Sequence, residues 1–187
     1  METNKNQTVA SSRNSTNIRR YIVIPALFVA MSIVLGKLLA VNIGTSIRIS
    51  FENLPILMAG IFCGAGVGGA VGLCADLIGC LIAGYAVNPI ITLGGVLIGV
   101  LSGLVSKYAF KGSFSLPSVA CSVGISHIIG SMIVKSIGMH IYYQTAMKVL
   151  LMRIPLYIGI GILETYIIYL LLKNKAFSEQ VERMCRK

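Results

Sequence analysis

Asp76 is the side chain that demands most of its surroundings. It stands inside a long apolar stretch, with no other charge from Asn53 to Ala75 or from Leu77 to Ser106. A carboxylate at that depth in a bilayer costs roughly 2.5 to 3.5 kcal/mol on insertion scales, so it must face a polar cavity or a partner on a neighbouring helix. A plain interhelical hydrogen bond would satisfy it equally well. Glu164 and Arg153 near the C-terminus, and His127 and Lys135 before them, invite the same argument. Arg48, Lys135, Lys148 and Arg153 fall toward one end of the apolar segments, together with Tyr85, Asn88, Tyr142 and Tyr143. A loop-closed cavity of positive balance lined by tyrosines suits a flat, anionic small molecule. Lys148 and one of the tyrosines also fit the role of interfacial anchors.

Other chemistries find little support. Gly64, Gly66 and Gly69 satisfy GxGxxG, but they lie between two apolar runs, and no acid follows at the distance needed to meet a ribose. No Walker A sequence occurs, so this chain cannot itself drive a process with ATP. His127 and His140 have no HExxH motif and no thiol or carboxylate cluster around them, so neither a metal centre nor any other cofactor is expected. A nucleophilic enzyme would need a base or a paired acid beside its nucleophile, and Asp76 has no second aspartate within the apolar stretches. The expectation is a protein that is not an enzyme.

Composition says what must position these residues. Hydrophobic residues make up 56% of the 187 and charged residues 12%. The mean hydropathy is +0.84. Ordinary globular chains carry about 25% charged residues, so this chain is expected to be an all-α integral membrane protein. The net charge of +10 does not indicate nucleic acid, because it lies at the ends of the apolar runs rather than along a basic stripe.

Six transmembrane helices are expected. They run over Tyr21 to Val41, Leu54 to Gly64, Gly68 to Gly84, Ile90 to Lys107, about Pro117 to Ser136, and Val149 to Leu172. The glycines from Gly64 to Gly69 mark one hairpin, and Tyr85 to Pro89 mark a second turn. Asn42 to Asn53 and Ile137 to Lys148 are expected to be loops. Residues 1–17 are expected to form a polar, disordered cytoplasmic tail, 18–173 the membrane domain, and 174–187 a basic cytoplasmic tail. Of the sixteen Lys and Arg residues, eleven fall on the side that carries both termini. The positive-inside rule then makes both termini cytoplasmic in a bacterial inner membrane crossed several times. The five cysteines form no CxxC pair and are expected to be small packing residues without a disulfide framework.

Taken together, these residues resemble the substrate-binding membrane subunits, or S components, of energy-coupling factor vitamin importers. Ala26-Leu27-Phe28-Val29-Ala30 is similar to the AxxxA step through which that family docks on its energy-coupling transmembrane subunit. Arg48-Ile49-Ser50-Phe51-Glu52-Asn53-Leu54-Pro55, followed by Gly60, Gly64, Gly72, Asp76 and Gly79, resembles the folate-specific branch, as do Asn88-Pro89, Thr92-Leu93-Gly94 and Arg153-Ile154-Pro155.

The resemblance implies a six-helix S-component fold with the vitamin bound near the outer face, and ATP hydrolysis carried out by two cytoplasmic ATPase partners. It leaves riboflavin, pantothenate or a pterin-like compound as alternative ligands. The candidate substrate-binding residues are Arg48, Ser50, Asp76, Tyr85, Asn88, His127, Lys135, Tyr142 and Arg153, and the partner-binding residues Ala26 and Ala30. Folate chemistry fits them: a carboxylate such as Asp76, or a nearby amide, can accept the paired N–H groups of a pterin. Tyrosines can stack on its rings, and Arg48, Lys135 or Arg153 can hold the carboxylates of the glutamate tail.

Overall fold

The computed structural model describes residues 22–37, 39–43, 47–84, 86–109, 115–175 and 179. The helices are α1 (Ile24–Lys37), α2 (Asn53–Cys63), α3 (Ala65–Ala83), α4 (Pro89–Tyr108), α5 (Leu116–Tyr143) and α6 (Met147–Lys173). A two-stranded antiparallel hairpin, β1 (Val41–Ile43) and β2 (Ile47–Ile49), lies between α1 and α2 with Asn42 opposite Arg48. Helices α3 to α6 are long and apolar enough to cross a membrane, while α1 and α2 are shorter apolar helices.

Local signals in the chain set most of the boundaries. Gly64 turns the chain from α2 into α3 with φ +96°, a conformation that suits glycine. The other glycines of that group lie within α3, so the hairpin is a single residue rather than the six-residue turn expected. Gly84 ends α3 in the left-handed region, and its N–H donates to the Cys80 and Leu81 carbonyls. Asn88 opens α4: its Oδ1 accepts from the N–H groups of Ile90 (3.0 Å) and Ile91 (3.3 Å), and Pro89 occupies the first turn.

Glycine also brings α2, α3 and α4 together. A Cβ on Gly99 would collide with the Gly68 carbonyl, one on Gly72 with the Gly95 carbonyl, and one on Gly60 with Ser102. The backbones can approach this closely only because those side chains are missing, which is how helices associate in lipid without a hydrophobic drive. Every residue of α2 is buried, and Leu57 is fully enclosed together with Val71, Ile98, Val119, Val123 and Ile168. Helix α5 contributes Ser118, Ser122 and Ser126 to this contact surface. Ser122 and Ser126 return their hydroxyl protons to the carbonyls four residues back at 2.8 and 2.7 Å, so neither hydroxyl is stranded in the core.

The structure differs from the sequence expectation in four further places. The first helix ends at Lys37 rather than Val41, because the chain goes on into the hairpin; at its start Ile22 and Val23 continue it as a π turn, and Tyr21 lies outside the described residues. That hairpin makes the fold predominantly rather than purely helical; strands of three residues carry too little alternation to announce themselves. Helix α5 runs on to Tyr143 through the segment expected to be a loop. There Gly138 packs against Ile90 and Ile91, and the Asn88 Nδ2 donates to its carbonyl (3.4 Å). Finally, Cys63 is disulfide-bonded, whereas Cys74, Cys80 and Cys121 are free thiols. The expected tail 1–17, and most of 174–187, lie outside the described residues.

The middle of α5, His127–Val134, is π-helical. Its wider turns keep His127, Ser131 and Lys135, spaced four apart, on one buried face.

Candidate functional site

At the end of the bundle where α1 and α3 finish and α2 and α4 begin, four charges surround one small polar cavity. Its lining includes Ser32, Gly36 and Lys37 of α1, Glu52 just before α2, Asp76 and Gly79 of α3, Gly95 of α4 and Lys135 of α5. Two cations and two carboxylates are balanced there. The free volume is about 30 Å³, room for little more than a water molecule.

Lys135 is the organising cation. Its side chain is 8% exposed, and its Nζ donates to Glu52 Oε1 and to Asn53 Oδ1, both at 3.2 Å. Asn53, itself buried, donates from Nδ2 to Ser131 Oγ at 3.5 Å, so its amide is oriented by the lysine on one side and the serine on the other. Gly94 makes room for the lysine stem: a Cβ there would stand 2.6 Å from Lys135 Cγ. Buried charges persist only when paired and hydrogen-bonded in this way.

Asp76 is held from α4. Thr92 Oγ1 is 2.5 Å from Asp76 Oδ2 and 3.0 Å from the Asn88 carbonyl, so its single proton serves one acceptor at a time. Glu52 is anchored through its backbone, whose carbonyl accepts from Ser32 Oγ at 2.6 Å, while its side chain stays 36% exposed. Lys37 passes over Gly79, where a Cβ would lie 3.4 Å from Lys37 Cε.

The structure therefore brings Asp76 and Lys135 together and adds Lys37, Glu52, Asn53 and Thr92, which sequence reasoning did not single out as site residues. One signal could have found Glu52. The chain has six acids, and only Glu52, Asp76 and Glu164 lie between the polar ends.

The remaining candidates are distributed around this centre. Ser50 is half-buried in the link from β2 to α2, two residues from Glu52. Arg48 lies in β2, but its side chain is outside the described residues, as is all of Tyr85. Asn88 is buried and spends its side chain on capping α4 and tying it to α5. Tyr142 is exposed at the end of α5. Arg153 of α6 donates from Nη2 to Tyr157 Oη (2.8 Å), meets Met139 Sδ through Nη1, and lies over the Tyr157 ring at 5.2 Å.

His127 points elsewhere. Its Nε2 is 2.5 Å from Glu164 Oε2, the two side chains are 3% and 0% exposed, and its Nδ1 is 3.2 Å from Ser131 Oγ. On its other side it borders an apolar groove of about 460 Å³ between α5 and α6. Ala26 and Ala30 lie on the outward face of α1 beside the exposed Leu27 and Met31.

Comparison with known proteins gives the fold a context. The family model described as "ECF transporter, substrate-specific component" matches residues 20–175. No curated protein matches the chain. Among solved structures, the crystal structure of FolT bound with folic acid superposes with a TM-score of 0.65 at 20% identity, covering 79% of this chain and 89% of that one. At that identity the likeness establishes the shared fold.

Proposed function

Because the chain belongs to the substrate-specific components of ECF transporters, we propose that it binds folate at the outer face of the membrane and delivers it for uptake. The observation that carries this reading is the cavity ringed by Lys37, Glu52, Asp76 and Lys135, in a fold shared with a protein whose structure holds folic acid. A pterin presents adjacent N–H donors next to carbonyl and ring-nitrogen acceptors. A site carrying both signs answers that edge: Asp76 accepts, and Lys135 donates. A pocket meant only for the two carboxylates of the tail would need cations alone.

Asp76 and Lys135 are neighbours, so they serve one end of a long ligand. The glutamate tail then falls to Arg48 or Arg153, and the aminobenzoate ring to Tyr85 or Tyr142. In this reading Asn88 and Ser50 shape the surrounding loops, and His127 supports the bundle from behind. With six membrane crossings and cytoplasmic termini the four-charge cavity would lie on the outer side, a reading supported by the distribution of Lys and Arg.

The chain would bind substrate without hydrolysing ATP, which belongs to two cytoplasmic ATPase subunits acting through an energy-coupling transmembrane subunit. Ala26 and Ala30 offer that subunit a smooth strip on α1, where small residues let a second helix approach closely. Enlarging both, as Ala26→Leu with Ala30→Leu, should abolish co-purification with the energy-coupling subunit and leave the affinity for the vitamin unchanged. Ligand identity has its own test. Protein purified from cells supplied with the vitamin should carry the absorbance of a pterin, and a flavin spectrum would replace folate by riboflavin.

A further inference from the structure

Glu52 and Lys135 are not equal partners. Lys135 is enclosed, held by Asn53 behind it and packed against Gly94, whereas the Glu52 side chain is 36% exposed and already borders water. As long as Glu52 holds Lys135, the cavity offers about 30 Å³, which no bicyclic ring can use. Withdrawing Glu52 alone would leave a buried ammonium short of its counter-charge, which is strongly unfavourable. The carboxylate can leave cheaply only if another acceptor arrives at Lys135 as it goes.

We infer that Glu52 is an internal competitor for Lys135: the ligand gains the site by exchanging one of its own acceptor oxygens or nitrogens for the Glu52 carboxylate. The inference rests on the folate reading above and deepens it, since it makes Glu52 a determinant of both affinity and ligand class. A ligand without a strong acceptor at its buried edge cannot displace a carboxylate. Gly36 belongs to the same device. A Cβ at that position would lie 2.8 Å from Glu52 Cβ and 3.1 Å from Oε2, so only glycine there lets Glu52 fold back over α1 onto the lysine.

The test is a folate titration of the full chain in detergent, comparing the parent protein with Glu52→Gln and Gly36→Ala. The amide keeps the shape but competes weakly for the ammonium, so Glu52→Gln should bind folate about two- to fivefold more tightly, the scale of a partly exposed ion pair. Gly36→Ala keeps the carboxylate but crowds it off the lysine, and should shift affinity in the same direction. On a Lys135→Ala background the Glu52→Gln change should have no effect. Unchanged or weaker folate binding by Glu52→Gln overturns the exchange, a weaker value placing the Glu52 carboxylate on the ligand itself. A parent protein that is folded but does not bind folate strikes the folate reading instead, and the inference falls with it.

Discussion

Replacing Lys135 by alanine should cost about a hundredfold in folate affinity while the bundle stays folded. Lys135 is the one buried cation in the cavity that donates to two side chains at once, Glu52 and Asn53. Its loss removes the donor that the buried edge of the ligand must meet. Stability should suffer less, because Glu52 is partly exposed and can rehydrate, leaving the side-chain oxygen Oδ1 of Asn53 as the main orphan. Lys135→Arg should not rescue binding. The broader planar guanidinium would have to fit where the ammonium now meets Glu52 Oε1 and Asn53 Oδ1, beside about 30 Å³ of free volume, and it cannot imitate a compact ammonium. Equilibrium titration alongside a thermal melt of the same sample separates the two effects. A melt as depressed as the binding would assign Lys135 to the fold rather than to the ligand.

Glu164→Ala should be strongly destabilising, by about 3 kcal/mol, the upper end of the cost of leaving a buried hydrogen-bonding group without its partner. Glu164 is fully buried, and its contact with His127 is a main polar tie between α5 and α6. Its other oxygen, Oε1, has no hydrogen-bond partner among the described residues, which already makes the pair an expensive one to maintain. Helix α6 depends on such a tie because much of its surface faces outward, including Leu151, Met152, Ile158, Ile162 and Leu163. A fall in thermal midpoint on the order of ten degrees is expected. Glu164→Gln, which can still hydrogen-bond to the imidazole, should lose markedly less. Equal losses for the two variants would mean that packing volume, not hydrogen bonding, holds α6 in place.

Where the chain itself marks an ending, the sequence located the elements closely. The helix expected from Leu54 to Gly64 appears as Asn53–Cys63, because a glycine with positive φ closes it. The fourth, expected from Ile90, begins at Pro89 because Asn88 caps it. The last two turns of α5 could not be read the same way. Gly138 and the polar His140 resemble a loop in isolation, and only packing on Ile90, Ile91 and Asn88 keeps them helical. The cavity was half legible for an equally physical reason. Asp76 and Lys135 interrupt apolar runs and so cannot be idle, whereas Lys37 and Glu52 sit at the ends of runs, where a charge passes for an interfacial anchor. The partner of His127 lies 37 residues away on another helix, a pairing that no local pattern announces.

Folate binding by this chain is decided by calorimetric titration of the purified, ligand-stripped protein with folate, with riboflavin and pantothenate as controls. Saturable binding of folate alone is expected, at nanomolar strength and one molecule per chain. A folded sample that leaves folate unbound, or that takes up one of the controls instead, would contradict it.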